Sequence, residues 1–299
     1  MKQLVYRIIY NGTINKILRN VNLVLKNILP DTIELPVSGT IAINIGNAKT
    51  LKLKTNQTNY ISRLIFYKGY LNFEYTNIFV SLVQKVNSFY DVGANIGFYS
   101  LIAAMVNEKI KVIGFEPAIG PSFYFNENVR LNNLHNISTE KLALSHKEGE
   151  IDFYEVTNPK YKYLKHNLAG EGNAGSKTST ERFKINKVKT TTLDNYVQTN
   201  AGGTIDLIKI DTEGTEHLIL EKSVNVLTEM KPIIICETLF DTIEQNLEKL
   251  MESYGYEFYN HVDSGLKKVK TIVRRADDGV RNCFFVHPDK FHLIEEYVN

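Results

Sequence analysis

The stretch FYDVGANIGFYS at residues 89–100 decides the fold. Ahead of it, KVNSFYDV reads as a short buried strand, and GFYSLIAAMV behind it carries apolar residues at helical spacing. Strand and helix meet at Gly93, Asn95 and Gly97. Glycine is needed where φ is positive or where something approaches the backbone closely. The turn is therefore either a ligand cradle at a helix start or a plain strand-to-helix connection.

Outward from this turn the chain repeats the same alternation. A helix is expected over residues 76–86, and then come SFYDV, a helix at 97–107, KVIGFE, a helix at 121–132 and ISTEKLAL. Strand and helix in regular alternation indicate a parallel sheet covered by helices. GEIDFYEV interrupts it, followed by a polar, glycine-bearing insert at 157–186 with no clear period. A segment of that length within a compact domain is a lid, a binding loop or a surface excursion. Order returns at KVKTTTLDNYV. TIDLIKID then reads as a buried strand, TEHLILEKSVNVL as a helix, PIIICET as a strand and 243–254 as a helix. YEFYN and NCFFVH are the expected last strands, and DKFHLIEEYV the closing helix. Before residue 61, a helix and the alternating stretches TIAINI and LKLKTN make residues 1–60 an N-terminal helix and β-rich extension to a main domain at 61–299.

Composition narrows the function classes. Of 299 residues, 43% are apolar and 23% charged, ordinary for a globular protein, and a net charge of +2 argues against an extended nucleic-acid surface. Two cysteines, Cys236 and Cys283, exclude a disulfide framework or a cysteine-based zinc site and fit a reducing, cytoplasmic setting. No apolar run is long enough to span a bilayer, and no secretion signal is expected at the start. The N-terminal segment is nonetheless basic: Lys2, Arg7, Lys16, Arg19 and Lys26 precede the first acid, Asp31. Ile14, Ile17, Leu18, Val21, Leu25 and Ile28 form a helical stripe beside them. Such a stripe most often packs on its own domain or on a second subunit in a homo-oligomer. Peripheral contact of residues 1–29 with an anionic membrane is the alternative.

Open parallel sheets bind ligands at the carboxyl ends of their strands. Polar groups collect at four such ends: Asp91 with Gly93, Asn95 and Gly97; Glu116 in GFEP; Asp211 with Glu213 and Gly214 in KIDTEG; and Glu237 in ICET. Each acid alone could be a helix cap. Together they suggest a cationic or hydroxyl-rich ligand. Glu116 follows Gly97 by 19 residues, near the spacing expected of an acid that meets ribose hydroxyls. The turn reads D-x-G-x-N-x-G and lacks the G-x-G-x-x-G order suited to a pyrophosphate, so an adenosyl ligand without phosphates fits better than NAD.

FYDVGANIGFYS, IGFEP, TTLDNYV and IDLIKIDTEGTEHLIL, in that order, resemble the FkbM family of S-adenosylmethionine-dependent methyltransferases over roughly residues 60 to 240. The resemblance implies a class I methyltransferase fold, a Rossmann-like, doubly wound and mostly parallel α/β sheet ending in an antiparallel hairpin. It also implies O-methylation of a hydroxyl, foremost that of a sugar in a glycan or a glycosylated natural product. By the same resemblance, Asp91, Gly93, Asn95 and Gly97 would pass beneath the methionine part of the cofactor. Glu116 would take the ribose hydroxyls, Leu144 within residues 142–145 would meet the adenine edge, and Asp211 would lie near the transferring methyl.

An O-methylation needs an in-line approach of the acceptor and a place for its proton. Asp211, Glu213 and His217 form the catalytic cluster proposed for this, with Asp211 or His217 as base and His166 in the insert as a second candidate. Asp211, Glu213 and Glu237 could instead hold Mg²⁺ or Ca²⁺, a less favoured use of the same acids. Tyr161, Tyr163, Lys165, His166, Asn167 and Asn173, among Gly170, Gly172 and Gly175, suit a sugar-binding lid. The other readings are a non-catalytic S-adenosylmethionine-binding subunit and an NAD-dependent oxidoreductase.

Overall fold

The computed structural model describes residues 1–25, 34–46, 48–168, 183–200 and 203–299. In chain order it contains α1 (Lys2–Ile9), α2 (Gly12–Val24), β1 (Gly39–Asn44), β2 (Thr50–Thr55), α3 (Tyr60–Lys68), α4 (Thr76–Lys85), β3 (Ser88–Val92) and α5 (Phe98–Val106). Then follow β4 (Lys111–Phe115), α6 (Ile119–Leu131), β5 (Ile137–Glu140), β6 (Ala143–Leu144), β7 (Gly149–Val156), β8 (Phe183–Thr191) and α7 (Leu193–Thr199). β9 (Leu207–Ile210), α8 (Glu216–Glu221), β10 (Ile233–Glu237), α9 (Glu244–Ser253), β11 (Glu257–Val262), β12 (Gly265–Val269) and β13 (Asn282–Val286) complete it.

The main sheet has eight strands in the order β12-β11-β13-β10-β9-β3-β4-β5. β5, β4, β3, β9 and β10 are parallel, while β13, β11 and β12 are antiparallel. From β3 the chain steps to β4 and β5 on one side and later to β9 and β10 on the other. The order thus reverses between β3 and β9, where open α/β sheets place their ligand crevice. The doubly wound, mostly parallel α/β sheet with its antiparallel terminal hairpin matches the fold expected of a class I methyltransferase. Because helices cover both faces, successive strand residues enter different cores. Phe89, Val112 and Leu207 join one with Phe79 and Ile102, and Tyr90, Ile113 and Ile208 join the other with Leu193 and Leu247.

The β1–β2 hairpin shares the first of these cores through Ile41, Leu51 and Leu53. Side-chain amides of α6 hold it: Asn128 accepts from Lys54 N (2.7 Å) and donates to Lys54 O (3.2 Å), and Asn132 does the same with Lys52 (2.8 and 2.7 Å). A second, three-stranded sheet of order β6-β8-β7 stands beside the main one.

Several local expectations change. ISTEKLAL is not one strand: it breaks after Glu140, and Ala143–Leu144 pairs with β8 instead. β8 begins at Phe183, inside the stretch read as the insert, because it runs antiparallel along the whole of β7. TEHLILEKSVNVL is not one helix: it breaks after α8, and a π-helical turn at Val226–Met230 follows. The chain end forms 3-10 turns at Pro288–Leu293 and Glu295–Tyr297 rather than a closing α-helix. α3, capped by Asn59 through Ser62 N (2.8 Å), was not expected at all.

The largest change concerns α2. Its buried residues are polar, Asn15 and Arg19. Arg19 donates to Ser38 O (2.8 Å), Thr40 O (2.7 Å) and Asn15 Oδ1 (3.1 Å), satisfying the edge of β1. Ile14, Ile17, Leu18 and Val21 face solvent, so the apolar stripe does not pack on its own domain. Ile28 lies outside the described residues.

Candidate active site

A cleft of about 1420 Å³ opens over the carboxyl ends of β3, β4 and β9. Its other walls are the start of α3, the β7 strand and residues 157–168. That last segment is docked: Asn56 donates to His166 O (3.0 Å), and Leu168 N donates to Thr58 Oγ1 (2.8 Å).

The turn after β3 holds Gly93, Asn95 and Gly97 at φ of 77°, 51° and 86°. A Cβ on Gly93 would sit 1.9 Å from the Asp211 carbonyl oxygen, and one on Gly97 would sit 2.1 Å from the Phe125 ring. The glycines are thus required by two protein surfaces, the β9 turn and α6, as well as by φ. Gly93 N and Ala94 N both donate to Phe115 O at 3.0 Å, which ties the turn to the end of β4.

Glu116 follows that strand end and lines the cleft. Its two oxygens accept from Asn95 N and Ala118 N, each at 2.8 Å, and each keeps a second lone pair. Burial pushes its pKa up to about 8 against the pull of these two N–H groups.

Lys209, in β9, is the buried cation beneath the switch point, which sequence reasoning missed. Only 4% exposed, it lies 3.3 Å from Asp211 and 3.7 Å from Asp91, and donates to Gly93 O at 3.3 Å. Burial alone would push its pKa down, but Asp211, Asp91 and Glu74 hold it above the ordinary lysine value. An alternation of apolar residues hides this: LIKI reads as a buried strand, and the lysine inside it is the signal. Asp91 does not face the cleft. One oxygen accepts from Ser100 N (3.2 Å) and Oγ (2.7 Å) at the start of α5, and the other faces Lys209 without a hydrogen bond.

Glu74, also missed, projects into the cleft from the loop before α4, at φ 45°. Tyr99 donates to it at 3.1 Å. The surrounding protein, then Asp211, push its pKa up to about 7, against Lys209 and Tyr99. The residue is nonetheless exposed.

Of the sequence-selected acids, Asp211 and Glu213 line the cleft. Glu237 and His217 stand outside the lining, although Glu237 lies within the field of Asp211 and Glu213. Burial, then Asp211 and Glu213, push Glu237 up to about 9, and burial lowers the pKa of His217. Glu216 in α8 organises the β9 turn, accepting from Thr212 N (2.7 Å) and Gly214 N (3.2 Å). Among the described residues no three His, Cys, Asp or Glu side chains gather to hold a metal ion.

Leu142, Leu144 and Ser145 line the cleft beyond β4. His166 lines it too, stacked on Phe123 at 4.7 Å between ring centres. Gly170, Gly172, Asn173 and Gly175 lie outside the described residues.

The chain is similar to an FkbM methyltransferase from Methylobacillus flagellatus KT at 14% identity and a TM-score of 0.44, over 77% of this chain and 48% of that one. The chain thus spans about half the length of that relative. It is similar to a SAM-dependent methyltransferase from Agrobacterium tumefaciens (11% identity, TM-score 0.42, 84% of this chain and 71% of that one). It is also similar to TYW2 of M. jannaschii in complex with AdoMet (13% identity, TM-score 0.39, 84% and 87%). No curated protein matches it. No helix among the described residues is long and apolar enough to cross a membrane. The methyltransferase FkbM domain matches residues 91–258. Because that match runs from the end of β3 into β11, over more than half of the chain, the chain belongs to the FkbM family of methyltransferases.

Proposed function

We propose that the chain is an O-methyltransferase that methylates a hydroxyl of a carbohydrate with S-adenosylmethionine. The observation that carries this reading is one cleft with two different carboxyl groups. Glu116 lies at the end of β4 with lone pairs for a vicinal diol, and Glu74 lies across the switch point with a pKa near neutrality. S-adenosylmethionine supplies an electrophilic methyl group when bound. Glu116 would hold its ribose, Leu142 and Leu144 its adenine, and the turn of Gly93 and Asn95 its amino-acid end.

The chain's own residues then have to orient an acceptor hydroxyl and receive its proton. Glu74 is the better base, since a group poised near the operating pH serves both protonation states. Asp211, paired with Lys209, orients the acceptor. Lys209 sets a positive charge beside the buried Asp91 and the partly exposed Asp211. Tyr154, Asn158, Lys165 and His166 along the far wall offer the mix of aromatic faces and hydrogen-bonding groups that suits a sugar.

The test is calorimetric binding of S-adenosylmethionine, S-adenosylhomocysteine and NAD(H) to wild type and Glu116→Ala, followed by methyl transfer to a panel of sugars. Both sulfur nucleosides should bind, more weakly to the variant, and at least one sugar should be methylated. Binding of NAD(H) in their place would overturn the cofactor assignment. Cofactor binding with no transfer across the panel would overturn the acceptor class.

A further inference from the structure

The two N-terminal helices present apolar residues where a monomer in water should present polar ones. In α2, Ile14, Ile17, Leu18, Val21 and Val24 are 38–78% exposed and recur at helical spacing on one face. The polar residues Asn15 and Arg19 take the inward positions and are consumed by bonds to the β1 edge. In α1, Leu4, Val5 and Ile8 are 46–63% exposed. The opposite side of α1 is fixed to the body: Tyr6 and Tyr10 meet Tyr161 edge-on at 5.3 and 5.4 Å, and Tyr163 donates to Tyr6 O at 3.2 Å. These helices are therefore anchored elements with an uncovered apolar face, not a loose tail.

Charge decides what covers that face. Residues 1–25 hold four cations and no acid. Arg19 is buried, while Lys2, Arg7 and Lys16 are exposed beside the apolar rows. A second copy docking by the same face would set these cations against their own equivalents, since a two-fold interface pairs each patch with itself. An anionic bilayer surface offers both what the isoleucines and leucines need and what the lysines need. We infer that α1 and α2 form a peripheral membrane-docking face for anionic lipid. Because Tyr6 of α1 packs on Tyr161, which lines the cleft, the docked protein would hold its catalytic body at the bilayer rather than on a tether.

Flotation of the purified full chain with vesicles of phosphatidylcholine alone, or with 30 mol% phosphatidylglycerol, tests this without reference to catalysis. The protein should float with the anionic vesicles and at least tenfold less with the neutral ones. Ile17→Glu/Val21→Glu and Lys2→Glu/Lys16→Glu should each reduce flotation at least tenfold, and raised salt should release the wild type. All four positions are exposed, so unchanged melting temperatures will show that the variants fold. No flotation, or flotation indifferent to these substitutions, would overturn the inference. So would a concentration-dependent dimer that Ile17→Glu/Val21→Glu dissolves while vesicles stay unbound, which would make the face a subunit interface.

Discussion

Replacing Gly93 by alanine separates two reasons for a glycine at that turn. The first is conformational: at φ 77°, an alanine pays about 1–2 kcal/mol for the left-handed region. The second is contact. The new Cβ would lie 1.9 Å from the Asp211 carbonyl oxygen, so the turns after β3 and β9 must separate by more than ~1 Å, an overpacking cost of about 1–3 kcal/mol. Gly46→Ala supplies the control, because Gly46 has a comparable φ of 86° and nothing within 4 Å of its Cβ position. The expected losses are about 2–5 kcal/mol for Gly93→Ala and about 1–2 kcal/mol for Gly46→Ala. With an unfolding entropy of roughly 2.1 cal/mol/K per residue, these correspond to falls in Tm of about 3–8 °C and about 2–3 °C. Calorimetry measures both. The same displacement moves Asp211, so S-adenosylmethionine affinity should fall at least tenfold in Gly93→Ala and stay constant in Gly46→Ala. Two variants that melt within 1 °C of one another, with equal affinity, would show that the turns do not bear on each other as described.

Lys209→Met removes the cation beside Asp91 and Asp211, and breaking the buried Lys209–Asp91 pair should cost roughly 3–5 kcal/mol in urea unfolding. An unchanged midpoint would mean that Lys209 does not offset the buried Asp91 carboxyl. Glu74→Gln should lower kcat by about 10²–10⁴ and abolish the acid limb of the rate profile, which in wild type falls as pH drops through about 7 because the base form is lost. An acid limb that survives the substitution would place the base elsewhere. Glu237, raised to about 9, stays protonated in the fold where the unfolded chain releases its proton. Its stabilising contribution is full below the unfolded carboxyl range and fades as pH rises toward 9. Glu237→Gln should therefore match wild type near pH 4 and melt progressively above it toward pH 9, and a pH-independent difference would contradict the assignment.

The parallel sheet and its switch point were legible because buried strands and amphipathic helices differ in period, and β3 to β4 and β9 to β10 are short apolar runs closed by turn residues. Glu116 was legible for a related reason, since spacing along one β-α-β unit fixes where its acid falls. Elements whose partners are distant in sequence were not. β8 is a strand because β7 lies alongside it, and α3 is a helix because Asn59 caps it. Glu74 belongs to a loop that no period marks, and only the fold brings it to within the field of Asp211 and Lys209. The inverted face of α2 was the costliest miss, because a helical stripe indicates that one side is buried without saying against what.

Acids at four successive strand ends looked like one negatively charged site, and the structure divides them by where their oxygens point. Asp91 gives one oxygen to Ser100 and turns the other toward Lys209, so it shapes the turn without facing the cleft, as Glu216, outside that set of acids, does with one oxygen for Thr212 and Gly214. Glu116 does both, holding Asn95 N and Ala118 N while keeping lone pairs for a ligand. Glu237 stands outside the lining. At the switch point the field is set by Glu74, Glu116, Asp211 and Glu213, with the Lys209 ammonium offsetting Asp211 and Asp91. In the function proposed above, that arrangement would leave Asp211 for the sulfonium and Glu74 for the acceptor hydroxyl.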